Sequence, residues 1–160
     1  MNSGEQVAAG YADLIKRYDD RWSWFGTYTF PDHIHPEAAN KIWNKYIHQI
    51  NREVYGCRYY KRKEGIIWSR GSEYQKRGVI HYHALLGDIP DQVRRLDYLD
   101  FWQSLAGYAR IFKYEPGKGA DQYICKSAYA FKRGEVDFSD TLAVQLVSNQ
   151  IELPYSVALQ

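Results

Sequence analysis

Long apolar runs, paired cysteines and a large excess of one charge are all missing from this sequence. No stretch approaches the roughly 20 apolar residues that span a bilayer, and the polar first residues lack the apolar core of a secretory signal. The two cysteines, Cys57 and Cys125, are too few for a disulfide scaffold or a cysteine-rich zinc site. These absences argue against a membrane span and predict reduced thiols in a reducing compartment.

Charge and aromatic content leave two interpretations open. The formal net charge is only +2, which does not by itself indicate nucleic-acid binding. Basic residues nevertheless cluster, as at Lys61-Arg62-Lys63 and Lys76-Arg77, and a local basic field is sufficient to hold a phosphate backbone. An ordinary solvated surface explains the same clusters. The 15 tyrosines, 6 phenylalanines and 5 tryptophans are expected to fill the core or to serve as stacking platforms for unpaired bases.

Hydrophobic periodicity predicts one domain of mixed helices and strands. A chain of 160 residues, 45% of them hydrophobic, is long enough for one packed core. We expect the domain over residues 1–134, followed by a tail over residues 135–160 that packs on it or leads to a partner segment. Short turns between strands favour an α+β fold, with a central antiparallel sheet flanked by helices in a ferredoxin-like or RNA-recognition-like arrangement. Helical patterns cover residues 5–20, 35–56, 90–107, 120–132 and 141–147, and strand patterns cover residues 22–30, 58–60, 66–74, 79–86 and 109–114.

Two histidines on one apolar strand form a candidate metal site. Alternate strand residues point to one face, so His81 and His83 project together with about 7 Å between their bases. Glu73 lies near the end of the preceding strand, and the intervening hairpin brings its carboxylate beside the imidazoles. Two imidazoles and one carboxylate leave open positions for water or a phosphate oxygen, and they suit Mn²⁺ and tolerate Mg²⁺. Hydrogen-bonded or surface histidines, with a plain surface carboxylate, are the alternative.

A second His-x-His pair, His33 and His35, competes for the same assignment. Pro31 and Pro36 flank this pair and argue against a regular strand, so the geometric reason for convergence on an ion is missing. We interpret these histidines as polar residues of a loop and a helix start.

Tyr123 and Lys126 are the candidate nucleophile and its cation. Residues three apart share one face of a helix, so the lysine can lie close to the phenol. A free tyrosine, with a pKa of about 10, becomes a useful nucleophile when a metal polarises the phosphate and a cation lies nearby. A tyrosine half-buried between helix and sheet is the alternative. Tyr129 is a weaker candidate because six positions is poor spacing for one helix face, and Tyr108 and Tyr114 lack a basic partner at helical spacing.

Taken in order, these segments resemble the nicking domain of HUH endonucleases, in particular the rolling-circle replication initiators of small single-stranded DNA viruses, plasmids and phages. That family has a Phe-x-Thr-Tyr-type strand, two histidines with an upstream glutamate, and a Tyr-x-x-Lys helix. The matching segments lie between residues 22 and 132: Trp24-Phe25-Gly26-Thr27-Tyr28-Thr29-Phe30, Glu73 with His81-Tyr82-His83-Ala84-Leu85-Leu86, and Tyr123-Ile124-Cys125-Lys126.

The resemblance implies an activity and a cofactor. A divalent metal, Mn²⁺ or Mg²⁺, held by Glu73, His81 and His83 is expected to bind the scissile phosphate. Tyr123 is expected to attack it, forming a 5′-phosphotyrosine and releasing a 3′-hydroxyl, and reversal joins the strand to a new 3′ end. Lys126 is expected to stabilise the phosphate charge.

The implied partner is single-stranded DNA, at an origin hairpin or loop. No G-x-x-x-x-G-K-[ST] segment occurs, so either the chain is an isolated nicking domain or it recruits a separate helicase. We expect the protein in the cytoplasm if it comes from a bacterium, plasmid or phage, and in the nucleus if it comes from a eukaryotic virus. The residues expected to contact DNA are Thr27, Tyr28, Thr29, Arg70, Lys76, Arg77, Lys118 and Lys132.

Two other functions remain open on the sequence. A non-catalytic single-stranded nucleic-acid-binding module would use the aromatic residues for stacking and leave the histidines structural. A transposase or a conjugative relaxase would share the chemistry, but relaxases usually place the tyrosine before the histidine pair, which favours an initiator or a transposase. Metal dependence separates the passive module from the enzymes.

Overall fold

The computed structural model describes residues 2–133 and 135–148 of the chain. The rest of the expected tail, residues 149–160, lies outside the described residues. The helices are α1 (Ser3–Arg17), α2 (Pro36–Tyr55), α3 (Arg95–Leu105), α4 (Gly119–Arg133) and α5 (Asp140–Ser148), and the strands are β1 (Trp22–Thr29), β2 (Ile67–Tyr74), β3 (Ile80–Gly87), β4 (Ala109–Lys113) and β5 (Val136–Phe138).

The strands form an antiparallel sheet, which over the described residues has five strands in the order β4-β1-β3-β2-β5. The path β1-α2-β2-β3-α3-β4 is the β-α-β-β-α-β order of ferredoxin-like folds. The predicted α+β class, with a central antiparallel sheet flanked by helices, is therefore confirmed. Because β5 pairs with β2, the first residues after position 134 belong to the sheet.

Helices cover both faces of the sheet, and β3 is buried along its whole length between them. On one face, α2 and α3 close an aromatic core that includes Tyr28, Trp43 and Trp102. On the other face, α1 and α4 close a second core that includes Phe25 and Phe131. The alternation of strand side chains divides each strand between the two cores, so β1 and β3 contribute to both.

Helix α2 begins and ends where the sequence predicts. His35 is its N-cap, with Nδ1 accepting a hydrogen bond from the Glu37 backbone N–H at 3.3 Å, and Pro36 occupies the first turn. Gly56 ends it with a φ of 89°, a conformation that glycine adopts without the steric cost of a Cβ.

Two local predictions are wrong, and one strand was not predicted. Residues 58–60 lie at a 3₁₀ turn (Tyr59–Arg62) instead of a strand, because this short stretch closes on itself through the left-handed Lys63, whose φ is 56°. Helix α3 begins at Arg95, since the proline at position 90 starts a turn that the Val93 backbone N–H closes. The three residues of β5 are too few to produce a periodic pattern, and their pairing with β2 was not expected.

Candidate metal centre and adjoining helix

Glu73, His81 and His83 converge on one face of the sheet, as the sequence predicts. Glu73 pairs with His81 across the β2–β3 ladder, and Gly71 pairs with His83. The two histidine Nε2 atoms are 3.0 Å apart, and Glu73 Oε2 lies 3.3 Å from His81 Nε2 and 3.1 Å from His83 Nε2. Three ligand atoms so close together, on two buried imidazoles and one half-buried carboxylate, could hold a metal ion.

The second nitrogen of each imidazole has a different environment. His83 Nδ1 lies 3.1 Å from Thr27 Oγ1. With the proton on Nδ1, the ring donates to that hydroxyl and turns the Nε2 lone pair toward the ligand cluster. His81 Nδ1 is buried and has no hydrogen-bond partner within the described residues. Of the two rings, that of His83 is therefore the one oriented through its second nitrogen.

Both imidazoles favour the neutral form, which is the form that binds metals. Burial, together with the smaller effects of the His81 and Lys126 charges, lowers the pKa of His83 to about 3. Burial also lowers the pKa of His81, although the Glu73 carboxylate opposes that shift.

The other histidine pair does not join this group. His33 and His35 are exposed in the segment before α2, and His35 serves as the helix cap. The interpretation of this pair as loop and helix-start residues is confirmed.

Helix α4 crosses the sheet close to the ligand cluster. A Cβ at Gly71, the partner of His83, would lie 3.3 Å from the side chains of both Ser127 and Ala130, so any larger residue would require α4 to move away by a few tenths of an ångström. Lys126 Nζ lies 5.6 Å from the centre of the Phe25 ring, and its charge reaches His83. The predicted cation is thus beside the candidate metal site.

Tyr123 does not share the exposed position of Lys126, and this corrects the prediction of a nucleophile on the same open face. Its side chain is 0% exposed and packs edge-on against Phe25 and Phe131. Its hydroxyl lies 3.1 Å from Ser69 Oγ inside the core. Burial raises the pKa of Tyr123, which opposes formation of the phenolate. In this structure its oxygen is not accessible to a phosphate.

Tyr129, the weaker candidate on spacing, is the exposed tyrosine of this helix. Its side chain is 53% exposed and lies three residues after Lys126, on the same flank. Its neighbour Ala130 packs over Gly71, which is the cross-strand partner of His83. Arg133 donates a hydrogen bond to Tyr129 Oη at 3.0 Å. Tyr129 lies six residues after Tyr123, which is poor spacing for one helix face. It lies three residues after Lys126, which is good spacing, so the sequence does contain a signal for it.

Two of the predicted DNA contacts are contradicted by burial. Tyr28 is fully buried and packs edge-on against Trp43. Arg70 is 4% exposed, with its guanidinium carbon 4.3 Å from the centre of the Tyr82 ring and an ion pair to Asp137 at 2.6 Å. Tyr28 and Arg70 each neighbour residues whose side chains point to the metal-binding face. Strand periodicity therefore places Tyr28 and Arg70 on the other face of the sheet, in the aromatic core.

The side chains of the other predicted DNA contacts are at least partly exposed to solvent. Thr27 and Thr29 are half-buried beside the histidines across β1 and β3, where Thr29 pairs with His81. Arg77 is exposed and donates to the backbone carbonyls of Phe30 and Pro31, which ties the β2–β3 hairpin to the end of β1. The remaining three, Lys76, Lys118 and Lys132, are exposed lysines.

Comparisons with known proteins do not identify a relative. No protein-family model matches the chain, and neither the curated proteins nor the solved structures give a match. Within the described residues, no helix has the length and apolar character to cross a membrane.

Proposed function

We propose that this protein is a metal-dependent endonuclease that nicks and rejoins single-stranded DNA through a tyrosine, as a rolling-circle replication initiator does. The observation that carries the proposal is the convergence of Glu73, His81 and His83 next to the turn of α4 that bears Lys126 and Tyr129. A candidate metal group, a cation and an exposed phenol on one surface are the parts that phosphodiester transesterification requires.

The donor set of two imidazoles and one carboxylate suits Mn²⁺ and tolerates Mg²⁺, and it leaves open positions for water or a phosphate oxygen. The three donor atoms, which lie 3.0 to 3.3 Å apart, are close enough to share one ion. When bound, the ion would serve as Lewis acid and template for the scissile phosphate.

The residues around the donors prepare them for this task. Thr27 fixes the ring of His83 through Nδ1, so the Nε2 lone pair keeps its direction. The Glu73 carboxylate supplies the negative charge of the donor set and stays partly open to solvent, which leaves an approach for DNA. The burial of His81 and His83 keeps both imidazoles neutral.

We assign the nucleophile to Tyr129 in place of Tyr123. Tyr129 Oη is reachable from solvent, whereas Tyr123 Oη is enclosed by the core and bonded to Ser69. Arg133 donates a hydrogen bond to Tyr129 Oη, which places a positive charge next to the phenol oxygen.

The reaction exchanges one phosphodiester for another. Tyr129 Oη attacks the phosphorus, the bond from phosphorus to the 3′-oxygen breaks, and the phenolic proton passes to solvent as the 3′-oxygen leaves and takes up a proton. Lys126 and Arg133 supply positive charge near the phosphate. Attack by a 3′-hydroxyl on the phosphotyrosine restores the strand and the free phenol, so no ATP is consumed.

The test is formation of a covalent adduct. Pooled single-stranded oligonucleotides are incubated with the protein in Mn²⁺ or in EDTA and separated on a denaturing gel that contains SDS. Tyr129→Phe and Tyr123→Phe are compared with Tyr60→Phe, which changes an exposed tyrosine of the 3₁₀ turn. We expect an adduct that requires Mn²⁺ and that only the first variant abolishes. Equal DNA binding in Mn²⁺ and EDTA without any adduct would instead identify a passive single-stranded DNA-binding module.

A further inference from the structure

The edge strand β4 and the residue before it expose two aromatic rings, Phe112 and Tyr108, on the same face as the candidate metal group. Thr27 pairs with His83 on one side and with Arg110 on the other, and Phe25 pairs with Phe112. The side chains of Arg110 and Phe112 therefore project on the face of the histidines. The Tyr108 carbonyl accepts hydrogen bonds from Thr29, which aligns it with the His81 end of the site.

These three residues form a row in which a cation separates two rings. Tyr108 is 57% exposed and Phe112 is 53% exposed, although large apolar rings are usually covered. The guanidinium carbon of Arg110 lies 5.9 Å from the centre of the Tyr108 ring. Four residues of strand make the row about 13 Å long, and two strand spacings put Arg110 about 10 Å from the backbone of His83.

The surroundings of the row are basic. Lys126 stands between the row and His83, over the Phe25 ring. Beyond Phe112 lies a groove of about 300 Å³, which Lys113 and Lys118 line together with the Phe112 ring. Its acidic lining residue, Glu115, lies 4.0 Å from Lys118. Positive charge beside exposed rings suits a polyanion that has flat apolar groups.

We propose that Tyr108, Arg110 and Phe112 bind the DNA strand that leads to the metal group. The two rings stack on unpaired bases, and Arg110 contacts the phosphate backbone between them. Pairing of β4 with a second copy of the chain would bring like charges such as Arg110 and Lys113 together on a short edge strand, which disfavours that occupant. The inference rests on the proposed function because the bound strand is the nicking substrate.

The test is binding of a fluorescein-labelled oligothymidylate of about 15 nucleotides, measured by fluorescence anisotropy in EDTA, where nicking does not contribute. We expect Tyr108→Ala and Phe112→Ala each to weaken binding by roughly 5- to 150-fold. Phe112→Tyr should retain most of the affinity because it keeps a ring. Tyr60→Ala, which removes an equally exposed ring elsewhere, should not change it.

The phosphate contact of Arg110 and the stacking contact of Phe112 can be tested separately, by salt dependence and by binding of a duplex. Arg110→Gln should reduce the slope of log affinity against log salt by about 0.7, while Arg94→Gln, at the exposed N-cap of α3, should leave that slope unchanged. Binding of a duplex of the same length should not depend on Phe112, since paired bases are not available for stacking.

The outcomes separate this proposal from the nicking proposal. The proposal that this row binds DNA is overturned if oligothymidylate does not bind, or if Tyr108→Ala and Phe112→Ala both keep wild-type affinity. This holds even if the Mn²⁺-dependent adduct forms. A wild-type dimer in sedimentation that Phe112→Ala converts to a monomer, with DNA affinity unchanged, also overturns it. Row-dependent binding without any adduct in Mn²⁺ supports the row and refutes the nicking function.

Discussion

The two tyrosines of α4 allow a prediction in which stability and chemistry change separately. Tyr123→Phe removes a hydroxyl that lies 3.1 Å from Ser69 Oγ inside the core, and the ring contacts with Phe25 and Phe131 remain. A buried hydroxyl without its partner costs about 1–3 kcal/mol. For a domain of this size that corresponds to a decrease in Tm of about 2–12 °C.

Tyr129→Phe has the opposite profile. The lost hydroxyl is exposed, and its partner Arg133 keeps an ion pair with Glu135 at 2.6 Å. The free energy of unfolding should change by no more than about 0.5 kcal/mol. The covalent adduct should disappear completely, because a phenyl ring has no oxygen to attack phosphorus.

The assay combines urea unfolding curves with adduct formation in Mn²⁺, each for wild type and both variants. Mass spectrometry of the adduct after proteolysis identifies the modified peptide directly. The reasoning is refuted if Tyr129→Phe forms the adduct at the wild-type rate while Tyr123→Phe forms none and unfolds like the wild type. That result would mean that Tyr123 leaves the core when DNA binds.

Three other predictions concern the metal group and the opposite core. Mn²⁺ at 100 times its dissociation constant should raise the free energy of unfolding by about 2.7 kcal/mol, and therefore also raise Tm. Glu73→Gln should remove this increase in Tm. A wild-type Tm that Mn²⁺ does not change would contradict a metal site. Without metal, the protein should lose about 2 kcal/mol of stability between pH 7 and pH 5, because the unfolded state protonates a histidine near pH 6.5 while the folded pKa of His83 is about 3. His83→Gln should flatten that pH dependence in urea titrations, and an equally steep curve would exclude His83 as its source. Arg70→Gln should cost about 1–3 kcal/mol by removing its contacts with Tyr82 and Asp137, with no change in oligothymidylate affinity; weaker DNA binding by the folded variant would restore Arg70 as a contact.

The elements and the ligand group were predictable because their signals are local. The histidines are two residues apart on a strand, and a short hairpin fixes Glu73 opposite His81, so a period of two is sufficient to bring them together. The long helix α2 combines a cap, a proline in the first turn and a terminal glycine, which agree with one another.

Exposure within an element was harder to predict. Tyr123 and Tyr129 both lie on α4, and spacing along a helix relates them to each other without showing which flank meets the sheet. That choice depends on distant residues, chiefly Gly71, which lets the helix approach. The charge of Arg70 predicts exposure, but its guanidinium is stacked on Tyr82 and paired with Asp137, which makes burial possible.

The burial of β3 on both faces links its chemistry to its pairing during folding. A slip of one residue against β1 and β2 would turn His81 and His83 into the aromatic core beside Trp43, and it would turn Tyr82 toward Glu73. Such an error would bury two unpaired imidazoles and destroy the ligand group at once. Recovery of metal binding after refolding is therefore a direct measure of the fraction of molecules whose sheet has assembled correctly.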